Sequence, residues 1–235
     1  MKNKEVKTKK NKSGLPDRNL YIIFTITLMA VMGVASITPA FPEIIKEFGI
    51  DKKEVTLLIT AFTLPGIFLA PLMGILADRL GRKTIIIPAL FLFAITGFLC
   101  VFAKSFESLL ILRFFQGVGM APLGMLNTTM VGDLYEGNNR NAAMGYVSGV
   151  LSIGTASYPA IGGVLADISW NAPFYLPLLA IPVGFSVIFM LKNPEPDNNT
   201  DLKEYFNNLF LQKEKLIEVN NLKTHFLPEA SDVDT

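Results

Sequence analysis

Ten residues between positions 74 and 83 carry the densest pattern of chemistry in the chain: Gly74, Ile75, Leu76, Ala77, Asp78, Arg79, Leu80, Gly81, Arg82 and Lys83. One carboxylate and three cations follow directly on an apolar run. Asp78 sits where that run ends, so it requires a partner. Gly74 lets another helix approach closely, and Gly81 permits a tight turn with positive φ. A second acidic pair, Asp133 and Glu136, closes a later apolar run. Arg113 is the one charge inside an otherwise uncharged stretch, and Gln116 and Gly117 share its helical face. An arginine at the centre of a membrane helix costs about 2.5–3.5 kcal/mol on insertion scales, so it normally faces a polar interior. Enzyme chemistry has no foothold here. The single histidine, His225, lies in the polar tail, and no H-E-x-x-H run or paired intramembrane aspartates are present. The lone Cys100 cannot close an intrachain disulfide or build a cysteine metal cluster.

The elements that must position these residues are read from the charges. The chain has 235 residues, 51% hydrophobic and only 17% charged, with a mean hydropathy of +0.42. A soluble domain carries about 25% charged residues. The charges crowd into 1–18 and 192–235. Between them six stretches, 19–42, 55–77, 84–103, 108–132, 141–166 and 168–191, are free of charge apart from Arg113. Each reaches the roughly 20 residues needed to cross a bilayer core about 30 Å thick. The prediction is an all-α membrane protein, with a basic leader over 1–18, a six-helix domain over 19–191 and a soluble tail over 192–235. The first apolar run is too long for a cleaved signal peptide. Prolines at 65, 71, 88, 122, 159, 177 and 182 fall within these stretches and predict kinks. With the leader inside, Lys and Arg number sixteen on inner segments and four on outer ones, which puts both termini in the cytoplasm. Trp170, beside an outer turn, suits an interfacial anchor. Leu202, Tyr205, Phe206, Leu209 and Phe210 recur at helical spacing and predict a cytoplasmic amphipathic helix. A net charge of +1 offers no basic field for nucleic acid.

The run from Gly74 to Lys83 resembles the signature loop of the major facilitator superfamily, G-x-L-a-D-r-x-G-r-k, at every specified position. Arg113-x-x-Gln116-Gly117-x-Gly119 is similar to the family's element in the fourth span, and Gly33, Pro39 and Pro42 to its element in the first. Gly145, Gly154, Pro159, Gly162 and Gly163 resemble the antiporter motif of the fifth span, with Tyr158 in place of a motif glycine. Gly74–Asp78 and Gly163–Asp167 also repeat one another 89 residues apart, as 3+3 inverted repeats would.

The resemblance implies one six-helix half of a twelve-helix drug:proton antiporter of the plasma membrane. It implies a latch of Asp78, Arg79, Gly81, Arg82, Lys83, Asp133 and Glu136 at the cytoplasmic ends. Arg113, Gln116, Asn127 and Tyr158 would line a transport cavity. Gly74, Gly117, Gly145, Gly154, Pro159, Gly162 and Gly163 would serve helix packing, with Tyr158 obstructing close contact to a second half. No cofactor or metal is expected. A proton gradient would supply the energy, and a small molecule, the lipid bilayer and a second six-helix half or self-dimer would be the partners. The expected activity is export of drugs or small metabolites by a truncated carrier. The alternative is a non-transporting six-helix partner or regulator of a full-length carrier.

Overall fold

The structure is a computed structural model, which describes residues 17–191. The leader up to residue 16 and the tail, including the amphipathic helix expected over 202–219, lie outside the described residues. Six helices long and apolar enough to cross a membrane follow one another: Arg18–Phe48, Leu57–Leu80, Arg82–Phe102, Phe106–Leu134, Gly137–Ile168 and Ala172–Met190. They are named the first to sixth spans. No strand occurs among the described residues.

The helices outrun the charge-free stretches. The first continues past residue 42 to Phe48, where Gly49 adopts φ 64° and closes it with a left-handed cap. The second reaches Leu80 and so includes Asp78 and Arg79. The fourth includes Asp133, and the fifth includes Arg140 and Asp167. Charge marks where hydrocarbon ends, whereas a helix continues into the headgroup region as long as its backbone bonds are met.

Proline acts differently from span to span. In the first span Pro39 and Pro42 sit at the starts of a 3₁₀ turn, Thr38–Ala40, and of a short helix, Phe41–Phe48. There a missing N–H costs nothing. The ladder is re-routed just before them: Ile37 donates to Val34 O, so Gly33 O loses the partner a continuing helix would supply. The sixth span likewise opens as a 3₁₀ stretch, Ala172–Leu179, containing Pro173 and Pro177. Pro65, Pro71, Pro88, Pro122 and Pro159 are carried inside their helices.

The fourth span is central. It packs against the second, the third and the first, while the first packs against the fifth and the third against the sixth. Two apolar clusters fill the interior. One runs from the leader-side ends to mid-bundle through Ile23, Ile26, Met32, Leu90, Phe93 and Leu123. The other closes the far end around Ile37, Ile44, Leu58, Leu109 and Phe174. Trp170 seals this end with its ring 5.0 Å from Phe48. The second and fifth spans are the least buried, 22% each against 39–56% for the others.

Candidate functional site

Two polar sites stand out, one at the leader-side ends of the spans and one inside the bundle. At the leader side, Gly81 breaks the chain between the second and third spans with φ 89° and ψ 138°, a conformation that favours glycine. The turn starts the third helix at Arg82, which aims the guanidinium at two acids. Its Nη2 donates to Asp78 Oδ1 at 3.2 Å, and its Nε donates to Asp133 Oδ2. Arg82 thereby ties the end of the second span to the end of the fourth. Its side chain is only 13% exposed, so screening is weaker than at an open surface pair. Lys83, next in sequence, donates to Ile188 O and, at 3.4 Å, to Leu191 O at the end of the sixth span. Gly81, Arg82, Lys83, Asp78 and Asp133 of the expected latch are thus gathered in one network. Arg79 and Glu136 occupy the same end of the bundle, and both have interactions of their own.

A further contact at this end was not foreseen from the motifs. Asp17 caps the first span by accepting from Leu20 N at 3.0 Å, and the same carboxylate oxygen accepts from the Tyr135 hydroxyl. Tyr135 is buried. Burial raises its phenol pKa, and the hydrogen bond and charge of Asp17 raise it further. Arg18 donates to Met190 O at 3.1 Å. The partners lie 118 and 172 residues apart, and no local pattern announces such pairs.

Inside the bundle, Arg113 is completely buried. Its Nη1 donates to Gln116 Oε1 at 2.7 Å, its Nη2 to Gly33 O at 2.8 Å and its Nε to Leu58 O at 3.4 Å. The guanidinium carbon lies 4.4 Å from the centre of the Phe62 ring. One side chain therefore joins three spans, and it takes up the carbonyl that the break in the first helix leaves over. Asn127 forms a separate pair, donating to Thr27 Oγ1 at 2.6 Å, while Thr27 donates to Ile23 O.

The four residues expected to line a transport cavity all lie inside the bundle. Arg113 and Gln116 are 0% exposed, Asn127 4% and Tyr158 7%. All four point into the six-helix bundle, and none lines an open surface. Tyr158 also does not obstruct the outward face of the fifth span, as its substitution for glycine had implied. It is turned inward beside Gly154, whose missing side chain leaves room for its ring and for Leu28.

The packing residues divide by neighbour. A Cβ on Gly117 would collide with the carbonyl of Phe62, and one on Gly162 with the carbonyl of Ser36. These are backbone-to-backbone approaches between the fourth and second spans and between the fifth and first. A Cβ on Gly74 would meet only the flexible end of Met125, at 2.7 Å, and one on Gly163 would make ordinary contact with Pro39. Gly145 packs against no other span of this bundle, with nothing within 4 Å of a Cβ built there. It lies on an exposed face of the fifth span. Gly97 is an unforeseen member, since a Cβ there would strike Gln116 and Pro177.

Comparison with known proteins agrees with this architecture. The profile of the Major Facilitator Superfamily matches residues 23–228. The Quinolone resistance protein NorA of Staphylococcus aureus is 26% identical over 191 residues, which cover 80% of this chain and 49% of that protein. The Multidrug resistance protein 1 of Bacillus subtilis is 29% identical over 185 residues, 79% of this chain and 47% of its own length. The chain thus spans about half the length of these curated relatives. A crystal structure of the human organic anion transporter MFSD10 (TETRAN) shares the fold, with a TM-score of 0.67 at 19% identity, over 80% of this chain and 52% of that one. With its signature turn folded around Arg82 and the family's profile matching residues 23–228, the chain belongs to the Major Facilitator Superfamily.

Proposed function

We propose that this chain supplies one half of a secondary active exporter of drugs or small metabolites. The bundle rocks against a second six-helix half, or a further copy of itself, in the plasma membrane. Both termini face the cytoplasm, where the excess of Lys and Arg on the leader side retains them. A proton gradient drives the cycle, and no cofactor takes part. The names of the relatives, quinolone and multidrug resistance proteins, support a substrate of drug-like size.

One observation carries the reading. Arg82 bridges Asp78 and Asp133 and so makes the leader-side ends move together, while the second and fifth spans leave most of their surface uncovered. A block pinned at one end with two open faces is what alternating access requires of a half. Breaking the Arg82 bridge frees the second and fourth spans to part on the cytoplasmic side.

The test is dye efflux from cells expressing the chain, its Arg82→Gln variant or an empty vector, each with and without an uncoupler. Expected is efflux above the vector control that the uncoupler abolishes and Arg82→Gln reduces about tenfold, the loss of a charge-assisted bond. Efflux equal to the vector control in all arms would overturn export by this chain and favour a non-transporting partner of a full-length carrier.

A further inference from the structure

Two grips hold the short hairpin between the fourth and fifth spans. From one side Arg82 holds Asp133. From the other, Asp17 holds Tyr135, two residues further on. The grips come from different parts of the bundle, the turn before the third span and the start of the first. Tyr135 has left the helix, with φ −128° and ψ 149°, and this extended step swings its phenol away from the fourth span and towards the first. Tyr135 is 3% exposed, so its hydroxyl has little access to water as a substitute partner.

Geometry makes the second grip matter to the first. A single bond at Asp133 would leave the end of the fourth span free to turn about that contact. A second bond two residues away removes the rotation. Asp17 is itself fixed, because the same oxygen caps the first helix through Leu20 N. Neighbouring Arg18 holds the end of the sixth span through Met190 O. Lys83, beside Arg82, holds the same end through Ile188 O and Leu191 O. Those last-turn carbonyls have no donor within their own helix. The contacts close a ring through the first, fourth, third and sixth spans.

We propose that Asp17 and Tyr135 are positioning residues for the Arg82–Asp133 bridge: they set the height and rotation of the hairpin at which Asp133 meets Arg82. Neither belongs to the signature loop. The inference rests on reading that bridge as the transporter's latch.

The test measures two distances by paired nitroxide labels in the full chain, reconstituted in liposomes. Cys100 is fully buried and is the chain's single cysteine, so introduced cysteines form the labelled pair. Tyr21→Cys with Asn138→Cys reports the Asp17 grip, and Leu80→Cys with Asn138→Cys reports the Arg82 grip. Tyr21 and Leu80 are 59% and 52% exposed, and Asn138 is exposed as well. Tyr135→Phe, which keeps the ring and loses the hydroxyl, is expected to broaden both distributions, with the displaced population rising about tenfold, as loss of a hydrogen bond to a charged group implies. Asp17→Ser keeps a helix-capping oxygen but cannot reach Tyr135, and it should do the same. It decides the matter if Tyr135→Phe does not insert. Asp17→Asn retains the acceptor and should restore the parent distances. An unchanged Leu80–Asn138 distance in Tyr135→Phe and Asp17→Ser overturns the proposal. If Arg82→Gln still broadens that distance, only the positioning role falls. If Arg82→Gln leaves it unchanged too, the latch reading falls with it.

Discussion

Arg113 shows how one side chain can be both costly and required. A guanidinium in an apolar interior is tolerated only when its donors are met. Here they are met by Gln116, by Leu58 O and by the carbonyl of Gly33 that the first helix gives up at its break. The planar fork sets its donors on three separate nitrogens in a rigid plane, a reach that the single nitrogen of an ammonium does not have. Arg113→Lys and Arg113→Met are therefore both expected to destabilise the folded bundle, by about 1–3 kcal/mol for each buried carbonyl left unpaired. Unfolding in mixed detergent measures this, and a lysine variant as stable as the parent would refute the fork argument. The sequence showed that Arg113 and Gln116 share a face. It could not show that Arg113's other partners are backbone carbonyls of two further spans, one of which, Gly33 O, is freed only once the first span breaks at Ile37. Tyr135 makes a second prediction at this scale. Its folded-state pKa is raised above the ordinary value of 10.0, so the folded state holds the phenolic proton more tightly than the unfolded chain does. That contribution to stability is complete below pH 10 and declines as the pH climbs above it. Thermal unfolding of the parent and of Tyr135→Phe should therefore converge as pH rises above 10. A gap that stays constant up to pH 11 would show that Tyr135 releases its proton equally in both states.

Between helices the determining feature is how near two backbones come. The fourth span lies on the second at Gly117, and the fifth on the first at Gly162. In each case the atom opposing the missing side chain is a carbonyl, which cannot rotate aside. Gly117→Ala and Gly162→Ala must push two spans apart, and overpacking of this kind costs about 1–3 kcal/mol or more. Gly145→Ala, with open space around it, is expected to unfold like the parent. Detergent unfolding of the three variants tests this, and equal stability for all three would remove the case for close approach. These glycines stand in one sequence motif or another, yet motif membership does not separate them: Gly145 and Gly162 belong to the same one. Direction around the helix separates them, and that depends on which neighbour the fifth span chooses. Helix ends were similarly half legible. Gly81 and the charges after it located the turn between the second and third spans to the residue. The continuation of the first span to Phe48 was missed, because Glu43, Lys46 and Glu47 read as loop although they lie on a helix closed by Gly49.

At the scale of the molecule, the bundle is held together across its internal repeat. The matched runs Gly74–Asp78 and Gly163–Asp167 divide the six spans into three and three. The closest packings join the second span to the fourth, the third to the fourth and the sixth, and the first to the fifth. Every one of them crosses from one repeat to the other. Most ties at the leader side do the same, with Arg82 reaching Asp133, Tyr135 reaching Asp17, and Arg18 and Lys83 reaching the end of the sixth span, while Arg82–Asp78 stays within the first trio. Each trio of spans thus leaves its tightest surfaces, the backbone approaches at Phe62 and Ser36 among them, to be covered by the other trio. The repeat was visible in the sequence as four identities in five positions, but the interlocking was not, because a repeat states which spans are equivalent and not which ones touch. In a membrane, spans insert first and associate afterwards through such packing and polar contacts. It follows that the chain should tolerate a cut in the short turn between the third and fourth spans, at Lys104, which carries none of these ties. Residues 1–103 and 104–235 expressed together should copurify as one complex resistant to protease. Expressed singly, each should insert yet remain protease-sensitive, with the Gly117 and Gly162 faces open to lipid. A trio that resists proteolysis alone as well as the pair does would mean that its own spans suffice to fold it, and the cross-repeat contacts would then be an outcome of folding rather than its cause.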